Sequence, residues 1–230
     1  MLNAITPFIA ALLMPGGSTF PYPFTNSTSP QNGTFSNATL PSPNGTGVIE
    51  YKCQYKFPTD LTVLNERYPD YNTSHLHDAS RLFMLRRQVP EEGEIATRAQ
   101  FQGLPSNVSN TTCRLELTLP KLQTIKGFNP TFNVYQVERD TDTISTWKNY
   151  VGYTDANLFG RVNGEPEALE RTRTIGGGIA AIGETRCNET LTFQMGMAFN
   201  SKDGVPNYWE FVEIMPPAWP VQGFRMVWGC

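Results

Sequence analysis

Several stretches of this chain alternate apolar and polar side chains with a period of two. Ile49, Tyr51, Cys53, Tyr55 and Phe57 alternate with Glu50, Lys52, Gln54 and Lys56. Leu115, Leu117 and Leu119 alternate with Arg114, Glu116 and Thr118, and Leu191, Phe193, Met195, Met197 and Phe199 with Thr192, Gln194, Gly196 and Ala198. Phe224, Met226 and Trp228 alternate with Arg225 and Val227. Successive side chains of an extended strand point to opposite faces, so this period predicts half-buried β-strands. Further strands are expected over 81–87, 94–102, 132–138, 158–162, 171–183 and 208–215, separated by turn dipeptides at Lys126-Gly127, Asn163-Gly164, Asp203-Gly204 and Pro216-Pro217. Helical periodicity is confined to single turns at Leu61–Arg67 and Glu165–Arg171. About nine strands with Gly- and Pro-rich turns predict an all-β chain, an antiparallel β-sandwich of jelly-roll-like form.

The chain before residue 48 has a different character. It contains no charged side chain until Glu50. The apolar run Phe8 to Met14, followed by Pro15, Gly16, Gly17 and Ser18, predicts a signal peptide over 1–18, although no basic residue precedes the run. It is far shorter than the ~18 apolar residues that a membrane helix needs, and no membrane span is expected elsewhere. Residues 19–47 are rich in Ser, Thr, Pro, Asn and Gly, a composition that buries too little apolar surface to offset the entropy of ordering. A disordered, glycosylated leader is therefore expected there, ahead of one folded domain over 48–230.

Eight asparagines open an Asn-x-Ser/Thr acceptor tripeptide: Asn26, Asn32, Asn37, Asn44, Asn72, Asn107, Asn110 and Asn188. Such sites are used on surface loops of secreted chains, so their abundance points to the secretory pathway. A net charge of −3 argues against nucleic acid or an anionic membrane as partner. The four cysteines, Cys53, Cys113, Cys187 and Cys230, are even in number and lack the close pairs typical of metal sites. Two long-range disulfides follow, with three connectivities open. Strand parity aligns Cys53 with Tyr55, Cys113 with Leu115, Cys187 with Leu191 and Cys230 with Trp228, so all four are expected to point inward. The expected staples are Cys113–Cys187 and Cys53–Cys230.

The order of motifs also resembles a fungal family. Phe101-Gln-Gly-Leu-Pro105, then Cys113 to Pro120, Phe132 to Val137, the Thr146-Trp147-Lys148-Asn149 element, Cys187 ahead of Thr190–Phe199, and Tyr208 to Phe211 with Gly223 to Trp228 are similar to the ubiquitin-three-binding-protein C-terminal domain. The Thr-Trp-x-Asn element is also similar to DNRLRE-type carbohydrate-binding-like sandwiches. The resemblance covers roughly residues 48–230 and implies a secreted or wall-associated fungal β-sandwich with no catalytic signature. The cytosolic partner in the family's name does not suit a chain with sequons and paired cysteines, and is not carried over.

Few constellations suggest chemistry. His75, His77 and Asp78 have ligand-like spacing, but with only two histidines in the chain an exposed loop is the favoured reading and no metal is expected. Gly176 to Ala181 matches G-x-G-x-x-A, yet the surroundings are strand-like and a glycine-rich turn is expected instead of a dinucleotide site. Glu91, Glu92 and Glu94, with Asp140 and Asp142, are the acidic groups; solvated turns are expected of them. Neither enzymatic activity nor a cofactor is expected. Aromatic residues give the better hypothesis: Trp147, Tyr150, Tyr153 and Trp219 are candidates for stacking on sugar rings. The expected role is a non-catalytic, extracellular, cell-wall-associated fungal glycoprotein that meets wall polysaccharide or a protein partner. A carbohydrate-binding module is the alternative, and a polysaccharide-active enzyme a more remote one.

Overall fold

The computed structural model describes residues 33–41, 48–72, 81–88, 93–106, 111–121, 123–138, 144–150 and 157–230, with backbone alone up to residue 52. All belong to one compact unit spanning Gln31–Cys230. Two antiparallel sheets pack as a sandwich. The first has the order β1 (Gly33–Pro41), β2 (Val48–Lys56), β13 (Gly223–Trp228), β6 (Thr112–Thr118) and β10 (Ile179–Arg186). The second runs β7 (Thr124–Lys126), β12 (Asn207–Val212), β4 (Leu82–Arg87), β5 (Ile95–Gln102), β11 (Thr190–Met197), β8 (Phe132–Val137) and β9 (Leu158–Val162). Off that path, β3 (Asp60–Asn65) also pairs with β5.

The alternating residues explain why these segments pack. Leu115 and Leu117 of β6, Phe224 and Met226 of β13, and Leu191, Phe193 and Met195 of β11 all enter one buried core. Phe83 lies at its centre, with ring centroids 4.6 Å from Phe211 and 5.1 Å from Phe224. At one border β9 and β10, from different sheets, come into backbone contact. A Cβ on Gly160 would lie 2.2 Å from the Ile182 carbonyl oxygen, and one on Gly183 would lie 2.8 Å from the Phe159 carbonyl oxygen. Only glycine allows that closure.

Three expectations are corrected. The segment Leu61–Arg67 is not helical; Leu61 and Val63 of β3 pair with Ala99 and Thr97 of β5, and that partner outweighs local periodicity. The second expected turn is a longer helix, α1 (Pro166–Thr174), with proline at its first position, where the missing N–H costs nothing. Residues 171–178 accordingly end a helix and turn, and the strand expected over 171–183 begins only at Ile179. Apart from these, the backbone of β1 lies within residues 19–47, in register with β2 from Gly33↔Tyr55 to Pro41↔Val48. Backbone pairing along an open strand edge does not require a buried apolar side chain, so composition gave no sign of it.

The disulfides are Cys53–Cys230 and Cys113–Cys187. Cys113 and Cys187 belong to the main core. Cys53 does not. Tyr55 is in register with Val227, and Cys53, Tyr55, Phe57 and Val227 form a second apolar cluster on the outer face of the first sheet. Cys230 is exposed, because β13 ends at Trp228 and Gly229 adopts φ +77°, which breaks the alternation. The expectation that all four cysteines point inward therefore holds for one bridge only.

Candidate binding surface

Ala99 and Phe101 of β5 face the core, so Arg98, Gln100 and Gln102 face outward. Most outward residues of β5 and β11 are nevertheless buried: Arg98 is 1% exposed, and Gln100, Thr192 and Gln194 are similarly enclosed, with Gln102 half-buried at the end. They satisfy one another. Gln102 Nε2 donates to Gln100 Oε1 at 2.7 Å, and Gln100 Nε2 donates to Thr192 Oγ1 at 3.0 Å. Arg98 Nη2 donates to Gln194 Oε1 at 2.9 Å.

Arg98 also anchors the Thr-Trp-x-Asn element. Its guanidinium donates to Asn149 Oδ1 at 3.1 Å and to the Asn149 carbonyl oxygen at 3.0 Å. Asn149 Oδ1 accepts the Thr146 backbone N–H at 3.0 Å, and Asn149 Nδ2 donates to the Ile144 carbonyl oxygen at 2.8 Å. These bonds close the 3-10 turn Trp147–Asn149 onto the outer face of the second sheet. The turn stacks Trp147 on Tyr150, with centroids 4.3 Å apart and planes 11° from parallel.

A second turn lies against the first. Asn65 Oδ1 accepts the Arg67 N–H, Tyr68 N–H donates to the Asn65 carbonyl, and Tyr71 N–H to the Tyr68 carbonyl. The Lys148 N–H donates to the Pro69 carbonyl at 2.9 Å, and Lys148 Nζ lies 3.1 Å from Asp70 Oδ1. Tyr68 is 63% and Tyr71 52% exposed. Two exposed phenols thus lie beside a half-buried indole–phenol stack and an exposed ion pair. Stacking faces next to hydrogen-bonding groups are the equipment for holding a sugar ring.

Within the turn over 65–71, Glu66 Oε2 accepts the Glu94 backbone N–H at 2.7 Å. Burial lifts the Glu94 carboxyl to about 7, with Arg87 opposing the rise and Glu66 adding to it. Burial, and then the neighbouring Glu94, also raise the Tyr150 phenol. A half-buried acid that keeps its proton near neutrality is a group available for proton transfer.

The other expected site residues fall in different places. Tyr153 lies outside the described residues, as do Asn26, Asn32, Asn44, Asn107, Asn110, His75, His77, Asp78, Glu91, Glu92, Asp140 and Asp142. Trp219 is 79% exposed in the loop before β13, whose Met215 and Val221 pack on the cluster around Cys53. It therefore belongs to the opposite outer face from Trp147. Asn37 is in the backbone of β1, Asn72 is half-buried directly after Tyr71, and Asn188 is exposed after Cys187. Leu104 N–H donates to the Glu189 carbonyl and Cys187 N–H to the Thr111 carbonyl, so the segment carrying Asn107 and Asn110 starts and ends beside Asn188. Gly176 to Gly178 cap the end of α1, with the Gly176 and Gly178 N–H groups donating to the Thr172 carbonyl. A helix precedes those glycines and a strand follows, the reverse of a dinucleotide fingerprint.

Tyr68, Tyr71 and Arg98 were missed in the sequence, and Glu94, expected in a solvated turn, is half-buried beside Glu66. The signal for the tyrosines was present: two aromatics flank Pro69-Asp70, a turn dipeptide that presents its neighbours to solvent. Among the described residues no group of three or more His, Cys, Asp or Glu is placed to hold a metal, and no helix is long and apolar enough to cross a membrane. No model of a known protein family matches the chain, and no curated protein sequence matches it.

Proposed function

We propose that this chain is a secreted, N-glycosylated, non-catalytic fungal β-sandwich that is held at the cell wall by binding polysaccharide through Tyr68, Tyr71, Trp147 and Tyr150. The observation that carries this reading is the backbone docking of two turns by Lys148 and Pro69, which presents exposed phenols beside a pre-stacked indole. A rigid aromatic surface loses little entropy on binding a ring. Two disulfides favour an oxidising compartment, and the motif resemblance favours a fungal wall.

The test is retention of the full chain on insoluble chitin and β-glucan. Trp147→Ala and Tyr71→Ala should each weaken retention about tenfold, the loss of roughly one stacked ring. Trp219→Ala, on the other face, should leave it unchanged. Asn72→Gln removes the sequon beside Tyr71 and should preserve or improve retention. A wild-type chain that no glucan or chitin retains would end this reading.

Glu94 supports a second reading. A carboxyl near 7 beside a second glutamate and an aromatic surface has the environment of a glycosidase general acid. Release of reducing ends from a glucan, abolished in Glu94→Gln with retention intact, would establish it.

A further inference from the structure

We propose a second binding site, independent of the aromatic surface, for a ligand that carries a carboxylate. It lies on the outer face of the first sheet, in a depression of about 280 Å³. Strand register builds it: Arg225 of β13 is opposite Glu116 of β6, Val227 is opposite Arg114, and Tyr55 of β2 is opposite Val227. Tyr55, Val227 and Ile179 give an apolar lining, and Arg114, Glu116 and Arg225 a charged one.

The charged part is unequal. The Glu116 side chain is 5% exposed, and both its oxygens accept bonds. Arg225 Nε and Nη2 donate to Oε2 at 2.9 and 2.8 Å, and Arg114 Nε donates to Oε1 at 2.7 Å. One buried carboxylate thus holds two guanidiniums. Glu184, a second acid on this face among the described residues, stands at the solvent-exposed rim and pairs with Arg114 Nη1 at 3.8 Å, longer than a hydrogen bond. Arg114, with 38% of its side chain exposed, has the terminal donors to receive an anion.

Guanidinium recognises a carboxylate through two parallel N–H···O bonds, a planar match that selects it over a hydroxyl. The adjoining apolar lining accepts a compact ring or chain. The volume is near the lower bound of about 300 Å³ for small-ligand pockets, so the ligand is one carboxylated unit. A uronic acid residue of an acidic polysaccharide and a free organic acid share that chemistry.

Calorimetric titration of the full chain with trigalacturonate, phenylacetate and neutral galactotriose tests the site. Both acids should bind saturably and more weakly as salt rises, and the neutral sugar should not bind. Arg114→Gln, which leaves the Arg225–Glu116 pair in place, should weaken acid binding about tenfold. Glu184→Gln removes the competing rim charge and should strengthen it about threefold. Tighter binding of trigalacturonate identifies a polysaccharide ligand, and tighter or equal binding of phenylacetate a small acid; either supports the carboxylate site. Absence of saturable binding by both acids, or affinities that neither substitution changes, would overturn it.

Discussion

On the inner side of β5 and β11, Ala99, Phe101, Phe193 and Met195 are buried against carbon; on the outer side of the same strands, Arg98, Gln100, Thr192 and Gln194 are buried against one another through hydrogen bonds. The two layers are about equally dry and respond to different physics. Apolar burial has no direction, so the inner layer is governed by volume and packing. The outer layer is governed by direction, since each buried polar group needs a partner at a set distance and angle. That directional layer fixes the Trp147–Asn149 turn in one place. A greasy contact would hold the turn without specifying its register.

Substitutions can break this contrast, beginning with the largest effect. Phe224→Ala removes a ring in contact with Phe83 and Phe132, and should cost about 3–5 kcal/mol of global stability, measured by urea unfolding. Arg98→Ala should cost less, about 2–3 kcal/mol, because Gln194 and Asn149 lose a charged donor. It should also release the turn: amide exchange should accelerate over 144–150 while the core strands stay protected. If exchange accelerates uniformly instead, the outer layer is not a separate device.

The acids sharpen the comparison through pH. Burial raises the carboxyls of Glu94, on the polar side, and Glu213, where β12 joins the first sheet, each to about 7. Glu213 resists this partly through Arg81 at 3.1 Å and the Phe224 N–H at 2.9 Å. A folded value above the unfolded one near 4.5 means that the folded state holds the proton more tightly. The contribution to stability is complete below about pH 4.5 and is lost as pH rises through about 7. Unfolding free energy should therefore fall between pH 5 and pH 8, and Glu94→Gln should flatten part of that slope. A slope unchanged in Glu94→Gln would remove Glu94 from this account. The smallest effect is expected from Thr192→Val, about 1 kcal/mol, for one lost bond to Gln100 in a nearly isosteric side chain.

The strands with clean alternation, β2, β6, β11 and β13, were legible because apolar and polar side chains sort to opposite faces, whether or not both faces are dry. Which face meets the core was not legible. The apolar side of β2 meets a satellite cluster rather than the core, since Tyr55 is opposite Val227 and not opposite Met226. Strand β7 escaped notice because it has only three residues, and β3 because it owes its shape to β5, a partner distant in sequence. The helix α1 was underestimated because Leu169 is its one buried side chain, which leaves almost no periodic signal. At the candidate site the Trp147–Asn149 motif was visible, but Arg98, which positions it from 51 residues away, looked like an ordinary solvent-facing strand residue. Polarity does not reveal burial when the burying partners are themselves polar.

The Cys53–Cys230 bridge has a mechanical consequence. It joins β2 to the end of β13, two neighbouring strands, and spans 177 residues of sequence. Tension applied between the chain before Cys53 and Cys230 therefore runs through one covalent link. That load crosses the β1–β2 pairing and then enters the bridge, so the strands that follow β2 are bypassed and the core carries none of it.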